Sequence, residues 1–230
     1  MPLEQAQRHY SGEAGRSYHQ VKRGIPQEAL PWVARLRARK FSEFVRPDDI
    51  VLEYGVGSGW NLAELRCRRK IGFDISTELE ANVCRLGIEF VTDTVSLSDD
   101  SADIVLCHHA LEHVLNPPET LKEIRRLLKP GGKLLLYVPL EREARYDQFR
   151  PDEPNHHLYS WNPQTLGNLV QECGFKVKQA GTGEFGYSRF AAVWASKLSL
   201  GENGFRLIRR IMHIVIPAFE TRILATKESL

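Results

Sequence analysis

Apolar residues along the chain fall into short runs that alternate with stretches of helical periodicity. Six runs predict strands, at positions 50–53, 70–73, 88–91, 102–107, 133–138 and 175–179. Helical patterns predict a helix from Pro31 to the turn at 47–49, and further helices at 61–66, 77–86, 118–128 and 163–172. A Pro-Gly-Gly turn is predicted at 129–132. Alternating strands and helices imply a parallel sheet, and the unbroken apolar run at 102–107 indicates that both faces are covered.

A long segment, 183–219, separates the sixth predicted strand from a last β-like run at 221–226. Its helical part ends at Pro217 and has an apolar face with arginines beside it. The apolar positions are Phe205, Leu207, Ile208, Ile211, Met212, Val215 and Ile216, and the arginines are Arg206, Arg209 and Arg210. An insertion of this length can serve as a lid, a dimer contact or a helix on a membrane surface, and these three interpretations stay open.

The composition is typical of a globular enzyme. The chain has 230 residues, of which 42% are hydrophobic and 26% charged, enough for one large α/β domain with a buried core. Its formal net charge of +2 gives no reason to expect a nucleic-acid partner. Four scattered cysteines indicate reduced thiols and a cytoplasmic protein. The first residues lack a signal-peptide pattern, and no apolar run is long enough to predict a transmembrane segment.

The strongest functional signal is a glycine loop after the first predicted strand. Glu53 ends the strand, and Gly55, Gly57 and Gly59 follow at alternate positions. Glycine lets the backbone turn sharply and approach a bound group, and a helix after the loop would add free N–H donors. A dinucleotide fingerprint requires its third glycine where this chain has Trp60, which disfavours a nicotinamide-dependent reductase.

Two further acids follow the next two predicted strands. Asp74 ends the second strand, where a carboxylate can accept hydrogen bonds from both ribose hydroxyls. Asp93 follows the third, where it can accept from the exocyclic amine of an adenine. Taken alone, Asp74 could instead be a helix N-cap and Asp93 a loop acid. Together with Glu53, however, they put acids at the carboxyl ends of successive strands, where ligands bind in open α/β sheets.

In this order and spacing, the motifs resemble the class I S-adenosylmethionine-dependent methyltransferases, especially the small-molecule branch called type 11. The resemblance rests on residues 51–59, 71–75, 93, 101–105, 110–114 and 121–138. It covers roughly 48–180, and 221–227 is similar to the family's closing strand. It implies a Rossmann-like three-layer α/β sandwich with a mostly parallel seven-stranded sheet and an antiparallel last strand. It also implies S-adenosylmethionine as the cofactor.

For the methionine half of that cofactor, the resemblance implies contacts on both sides of the glycine loop. Glu53 and the three glycines would line the methionine and ribose, and Asn61 would lie near the amino-acid end. The backbone of Cys107 and His108 would approach the methionine moiety.

For the adenosine half, the resemblance implies four positions. Asp74 would hold the ribose hydroxyls, and Ile75 would pack on the adenine. Asp93 would meet the adenine amine beside the backbone of Thr94.

Histidines near the strand ends are candidates for a general base, because an imidazole titrates near neutral pH. We predict His109, after the fourth strand, and His157, in a later loop, as the bases that take a proton from the acceptor. His113 belongs to a Glu-His pair common in the family and is expected to be structural. Ubiquinone-pathway O-methyltransferases place a metal-binding Glu-x-x-Glu-His motif here, but His109 replaces its first Glu. A His, a Glu and a His remain, and we expect no metal.

The sequence therefore predicts a methyltransferase that acts on a small-molecule or carrier-linked acceptor, at oxygen. The alternatives are N- or C-methylation, a lipid-quinone acceptor reached through 205–216, and a non-catalytic cofactor-binding scaffold. We expect a monomer or a homodimer, and peripheral membrane contact through 205–216 is left open.

The same patterns predict how the chain is divided. We expect an N-terminal helical cap at 1–46, a cofactor domain formed by 47–182 and 220–230, and a helical lid at 183–219. Four basic residues lie on one face of the first helix and are predicted to be solvated, namely Arg35, Arg37, Arg39 and Lys40.

Overall fold

The computed structural model describes residues 24–141, 147–151, 153 and 155–228, together with Gly12. The N-terminal cap predicted at 1–46 therefore lies largely outside the described residues up to position 23. From residue 24 the chain enters a single 3-10 turn, Gln27–Ala29, and then the first α-helix, as the apolar pattern predicts.

Among the described residues, seven strands form one sheet in the order β3-β2-β1-β4-β5-β7-β6. The strands are β1 Ile50–Tyr54, β2 Arg69–Phe73, β3 Glu89–Val91, β4 Ala102–His108, β5 Leu128–Pro139, β6 Phe175–Glu184 and β7 Phe219–Lys227. The first five pair in parallel, whereas β7 is antiparallel to both β5 and β6. The predicted mostly parallel sheet with an antiparallel last strand is confirmed.

The α-helices of the described part flank this sheet. They are α1 Leu30–Phe41, α2 Glu80–Cys84, α3 Pro117–Leu127, α4 Pro163–Glu172, α5 Ser188–Lys197 and α6 Gly201–Val215. Proline in the first turn and a side-chain cap from the preceding asparagine, Asn116 or Asn162, explain where α3 and α4 begin. Short 3-10 turns at Thr77–Leu79 and Leu111–His113 precede α2 and α3.

The helix predicted at 61–66 is wrong. The segment forms hydrogen-bonded turns, among them one in which the Ala63 N–H donates to the Gly59 carbonyl. The Arg68 N–H already donates to the Asp49 carbonyl, and β2 begins at the next residue. Because so few residues connect the glycine loop to β2, the connection is too short to propagate a helix, and no helix terminus supplies donors to the loop.

Two strands, β5 and β6, extend furthest beyond their predicted ranges. β5 begins at Leu128, so the predicted turn at 129–132 forms an irregularity within its pairing to β4. β6 continues to Glu184 because that residue still pairs with Phe219 of β7. The insertion between β6 and β7 consists of α5 and α6.

Apolar side chains cover both faces of the sheet. On β5, Leu134 and Leu136 belong to the cluster that includes residues of α3 and α4. Leu135 and Tyr137 point to the other face and pack in the cluster that contains Phe41 of α1. This alternation confirms the predicted three-layer sandwich.

A third apolar cluster joins α1 to the insertion. Val33 of α1 packs with Ala192 of α5 and Phe205 of α6, and Trp60 packs against them. Trp60 directly follows the glycine loop, so this cluster holds the three helices beside the carboxyl ends of the strands.

Candidate active site

The glycine loop after β1 has the backbone that its sequence requires. Gly55, Gly57 and Gly59 have φ values of 78°, 53° and 74°, in the left-handed region that side chains rarely adopt. A Cβ on Gly55 would lie 2.5 Å from the Cβ of Ala110. The loop therefore presents bare backbone at the carboxyl end of the sheet, and a side chain at position 55 would displace its neighbour.

Asp74 lies beside this loop at the end of β2. Its Oδ2 accepts a hydrogen bond from the Gly57 N–H at 2.8 Å, and its Oδ1 accepts from the Ser76 N–H at 3.0 Å. The second bond closes a local turn, whereas the first ties the carboxylate to the glycine loop. Ile75 follows and is half-buried.

Asp93 and Thr94 follow β3 at the same edge of the sheet. The exposed Asp93 carboxylate accepts from the Ser96 N–H at 2.9 Å, and the Thr94 carbonyl accepts from Nη2 of Arg126 at 2.8 Å. These bonds fix the loop, so Asp93 is placed at the edge where sequence reasoning expects an adenine.

A cavity of about 460 Å³ opens at the carboxyl ends of β1, β4 and β5. Five predicted site residues line it, namely Gly55, Asn61, His108, His109 and His157. The remaining predicted residues do not line it, namely Glu53, Gly57, Gly59, Asp74, Ile75, Asp93, Thr94 and Cys107. Sequence reasoning missed further lining residues, among them Arg37, Glu141, Phe185, Tyr187 and Phe219. They come from α1, β7 and connecting loops, and no local motif marks them.

A polar chain crosses the cavity wall near the glycine loop. The fully buried Glu53 accepts a hydrogen bond from Nδ2 of Asn61, and Oδ1 of Asn61 accepts from Nη1 of Arg37 at 3.2 Å. The Arg37 guanidinium also lies over the ring of Trp60, 5.5 Å from its centroid. A cation, an amide and a carboxylate are thus linked at this end of the cavity.

The prediction of a solvated basic face on α1 is wrong for three of its four residues. Arg35 pairs with Glu202 of α6 at 2.6 Å, and Arg37 bonds to Asn61. Lys40 pairs with Glu220 of β7 at 2.5 Å. The acidic partners of Arg35 and Lys40 come from the far end of the chain, where the periodicity of α1 gives no sign of them.

Buried charges meet beneath the cavity. Glu220 is fully buried and accepts from Lys40 Nζ, from Nε2 of His109 at 3.3 Å and from Nε of Arg222 at 3.1 Å. Lys40 Nζ also lies 2.9 Å from Nε2 of His108. Burial raises the pKa of Glu220, but the two histidines and the charge of Lys40 outweigh it and hold the pKa well below its usual range. Glu220 is therefore an ionised carboxylate at neutral pH.

His109 connects this cluster to the cavity. Its backbone has φ of 55°, a strained value for a histidine, and its N–H donates to the Tyr137 carbonyl. Its ring packs against Phe185 with centroids 4.1 Å apart. Burial lowers the pKa of His109 to about 4, although Glu220 opposes the shift. The structure thus holds a neutral, oriented imidazole at the cavity wall.

His108 lines the cavity beside His109, whereas Cys107 does not. Burial and the charge of Lys40 lower the pKa of His108, so it is neutral and can accept a hydrogen bond from the lysine. Cys107 is fully buried in the apolar layer beneath α3, and burial raises the pKa of its thiol. Neither side chain is placed to act as a nucleophile.

A second polar group lines the cavity next to His109, whose Nδ1 lies 3.9 Å from Oε1 of Glu112. His157 Nδ1 lies 2.5 Å from Oε1 of Glu141, and its ring meets that of His113 at a centroid distance of 4.9 Å. Atoms of Glu112, His113 and His157 lie within 4.8 Å of one another, a set that could hold a transition metal. His113, expected to be structural, therefore also faces the cavity.

His108, His109 and Glu220 form a second set with the same spacing. The ammonium of Lys40 contacts both His108 and Glu220, so a cation already contacts two of the three members of this set.

Comparison with known proteins gives the family. A family model described as a methyltransferase domain matches residues 21–180. The chain belongs to this methyltransferase family. The match spans the glycine loop, His109 and the three predicted acids, of which Glu53 lies in β1, Asp74 follows β2 and Asp93 follows β3. Together with the strand order, it confirms the resemblance to class I S-adenosylmethionine-dependent methyltransferases.

Two curated relatives agree with this assignment. The chain is 28% identical over 139 residues to a probable S-adenosylmethionine-dependent methyltransferase of Mycolicibacterium smegmatis, covering 56% of this chain and 52% of that protein. It is 27% identical over 109 residues to a ubiquinone/menaquinone biosynthesis C-methyltransferase of Hydrogenovibrio crunogenus, covering 40% of this chain and 42% of that protein. The chain thus spans about half the length of these two relatives.

A solved structure shares the whole fold. An S-adenosylmethionine-dependent methyltransferase of Thermotoga maritima, described as a possible histamine N-methyltransferase, superimposes with a TM-score of 0.64. It is 20% identical, and the match covers 97% of this chain and 100% of that one. The insertion carrying α5 and α6 lies within the shared length.

Proposed function

We propose that the protein transfers a methyl group from S-adenosylmethionine to a small-molecule or carrier-linked acceptor, at a hydroxyl oxygen. The observation that carries this proposal is the contact between His109 and Glu220 at the cavity wall. A neutral imidazole held by a buried carboxylate can accept the proton of an aligned hydroxyl, and Glu220 offsets part of the loss of basicity that burial causes.

The residues around the glycine loop fit the cofactor. Gly55 lets the loop pack against Ala110, where a Cβ would collide, and its bare backbone lines the cavity. We assign Glu53, Asn61 and Arg37 to the amino-acid end, because a carboxylate and a guanidinium there complement an ammonium and a carboxylate. The remaining contacts would be made by Gly57, Gly59, Asp74, Ile75, Asp93, Thr94 and the backbone of Cys107 and His108.

The protein's own contribution to the chemistry is proton removal and alignment. Glu220 accepts from His109 Nε2–H, which selects the tautomer whose Nδ1 would accept the hydroxyl proton, and this Nδ1 lies 3.9 Å from Oε1 of Glu112. The carboxylate then stabilises the imidazolium that forms. Bound S-adenosylmethionine supplies an already activated methyl group. His157, which is held by Glu141 and also lines the cavity, is the second candidate for the base.

Calorimetric binding of S-adenosylhomocysteine tests the cofactor site. Asp74→Ala should weaken binding by more than about tenfold, since it removes a charge-assisted contact and loosens the loop at Gly57. Asp100→Ala is the matched control, because Asp100 is an exposed acid paired with Lys227. Equal affinity of Asp74→Ala and wild type would overturn the site assignment.

Methylation at carbon is the second candidate, favoured by the quinone-pathway C-methyltransferase among the relatives. A screen of metabolite extracts with a ¹³C-methyl donor, read by NMR, distinguishes methylation at oxygen from methylation at carbon because O-methyl and C-methyl carbons have different chemical shifts. We expect an O-methyl product. Tight binding of S-adenosylhomocysteine without transfer to any extract would favour the scaffold alternative instead.

A further inference from the structure

The insertion exposes an apolar stripe on α6. Leu200, Leu207, Ile211 and Ile214 follow one another at helical spacing, and Leu207 and Ile214 are 59% and 74% exposed. Phe205, on the opposite side of the helix, is completely buried. The helix is therefore anchored by one face and presents a second apolar face outward.

Its partner helix adds a second exposed stripe. Phe190, Trp194 and Leu198 on and after α5 recur every four residues and are each more than 40% exposed. We refer to both stripes as the α5–α6 surface, defined by Phe190, Trp194, Leu198, Leu200, Leu207, Ile211, Ile214, Val215 and Ile216. Large aromatic and branched apolar side chains in one helical hairpin are typical of a surface that contacts another apolar phase.

The same hairpin concentrates positive charge. Residues 185–219 contain five arginines and lysines and one acid, a net charge of +4. The rest of the chain contains 26 basic and 28 acidic residues, a net charge of −2. The exposed Arg206 and Arg210 lie along one flank of the α6 stripe. This charge separation argues against a symmetric dimer through the surface, which would bring two +4 segments face to face, and favours an anionic partner.

The surface is continuous with the mouth of the cavity. Gly186 and Tyr187 before α5, and Ala218 and Phe219 after α6, line the cavity. The Tyr187 hydroxyl donates to the Ile216 carbonyl at 2.7 Å, which closes the base of the hairpin. A group that enters from the apolar side of the hairpin would thus reach the cavity beside Phe219.

We propose that the α5–α6 surface docks on an anionic lipid bilayer and that the acceptor is an amphiphile taken from that bilayer. The second part rests on the proposed methyl transfer. Among the described residues, no helix is long and apolar enough to cross a membrane, so the contact would be peripheral. Apolar side chains would enter the headgroup region while the arginines meet anionic headgroups.

Vesicle flotation, without cofactor or acceptor, tests docking independently of catalysis. Wild type should bind vesicles of phosphatidylcholine mixed with phosphatidylglycerol and not vesicles of phosphatidylcholine alone. Ile211→Glu/Ile214→Glu should lose at least tenfold in binding, because both side chains are exposed and apolar. Leu86→Glu/Phe149→Glu makes the same charge change at exposed apolar positions elsewhere and should bind like wild type. Arg210→Gln should lose about fivefold.

Three outcomes would overturn the proposal. The first is equal vesicle binding by the two glutamate double variants. The second is equal binding of wild type to vesicles with and without phosphatidylglycerol. The third is that wild type binds no vesicles and sediments as a dimer, whereas Ile211→Glu/Ile214→Glu sediments as a monomer. Unchanged calorimetric affinity of the variant for S-adenosylhomocysteine shows that it is folded.

A labelled methyl donor in vesicle-supplemented extracts tests the acceptor. Label confined to the aqueous phase would exclude the amphiphilic acceptor, whereas no label in either phase would count against methyl transfer itself.

Discussion

Lys40 Nζ lies 2.5 Å from Oε1 of Glu220, and this ion pair joins the first helix to the last strand across 180 positions of sequence. The carboxylate is fully buried, and the same residue holds the imidazole of His109 at the cavity wall. Burial lowers the pKa of Lys40 to about 7, although the negative charge of Glu220 acts to raise it. The pair therefore links the stability of the fold to the orientation of the proposed base.

Removing the lysine should destabilise the protein strongly. Lys40→Met leaves a buried carboxylate without its closest cation and should cost about 3–5 kcal/mol in the free energy of unfolding, measured by urea titration. Lys40→Met/Glu220→Gln removes the charge as well and should cost less than the single variant. Lys122→Met breaks an exposed pair with Glu119 and should cost about 1 kcal/mol or less. A double variant at least as unstable as Lys40→Met would contradict this account.

The lowered pKa of Lys40 predicts a pH dependence of stability. In the unfolded chain this lysine titrates near pH 10.4, so between about pH 7 and 10.4 the unfolded state binds a proton that the folded state does not. The free energy of unfolding should therefore rise with pH across this window. The groups that face the ammonium are Glu220, His108, Arg37 and Arg222. Urea titrations at several pH values should show that the free energy of unfolding changes differently with pH in wild type and in Lys40→Met across this window. The same dependence on pH in both proteins would refute the assignment.

Loss of the base should slow methyl transfer without affecting cofactor binding. His109→Ala should lower kcat by about 10²- to 10⁴-fold, with unchanged affinity for S-adenosylhomocysteine, because the imidazole is oriented for proton removal. His156→Ala is the control, since His156 is exposed and the cavity is lined by its neighbour His157. If His109→Ala keeps its rate and His157→Ala loses it, the base is His157. Full rates in both would remove both candidates.

Removal of divalent metals should leave the rate unchanged. The donor is already activated by its sulfonium, and the ammonium of Lys40 contacts two members of the His108, His109 and Glu220 set, namely His108 and Glu220. Dialysis against a chelator, followed by a methyl-transfer assay, checks this expectation. A loss of activity that added metal restores would instead point to the set formed by Glu112, His113 and His157.

Local signals predicted the strands and the glycine loop well. Gly55, Gly57 and Gly59 needed left-handed backbone, and the structure has it at each position. The helix expected after the loop failed because the early start of β2 left too little chain to form it. The prediction of a solvated basic face on α1 failed for a different reason, because Glu202 and Glu220, from the other end of the chain, pair with it.

The sequence by itself determined the parallel sheet, the glycine loop and the acids after successive strands, because hydrophobic period and glycine spacing act over a few neighbouring residues. It also determined that His109 follows β4. Only the tertiary structure decided what surrounds that histidine, namely Glu220 behind it and Phe185 against its ring. It likewise decided that the apolar side of α6 faces outward. The burial of a side chain and its charged partners depend on segments that meet only when the strands assemble into the sheet, so no local pattern encodes them.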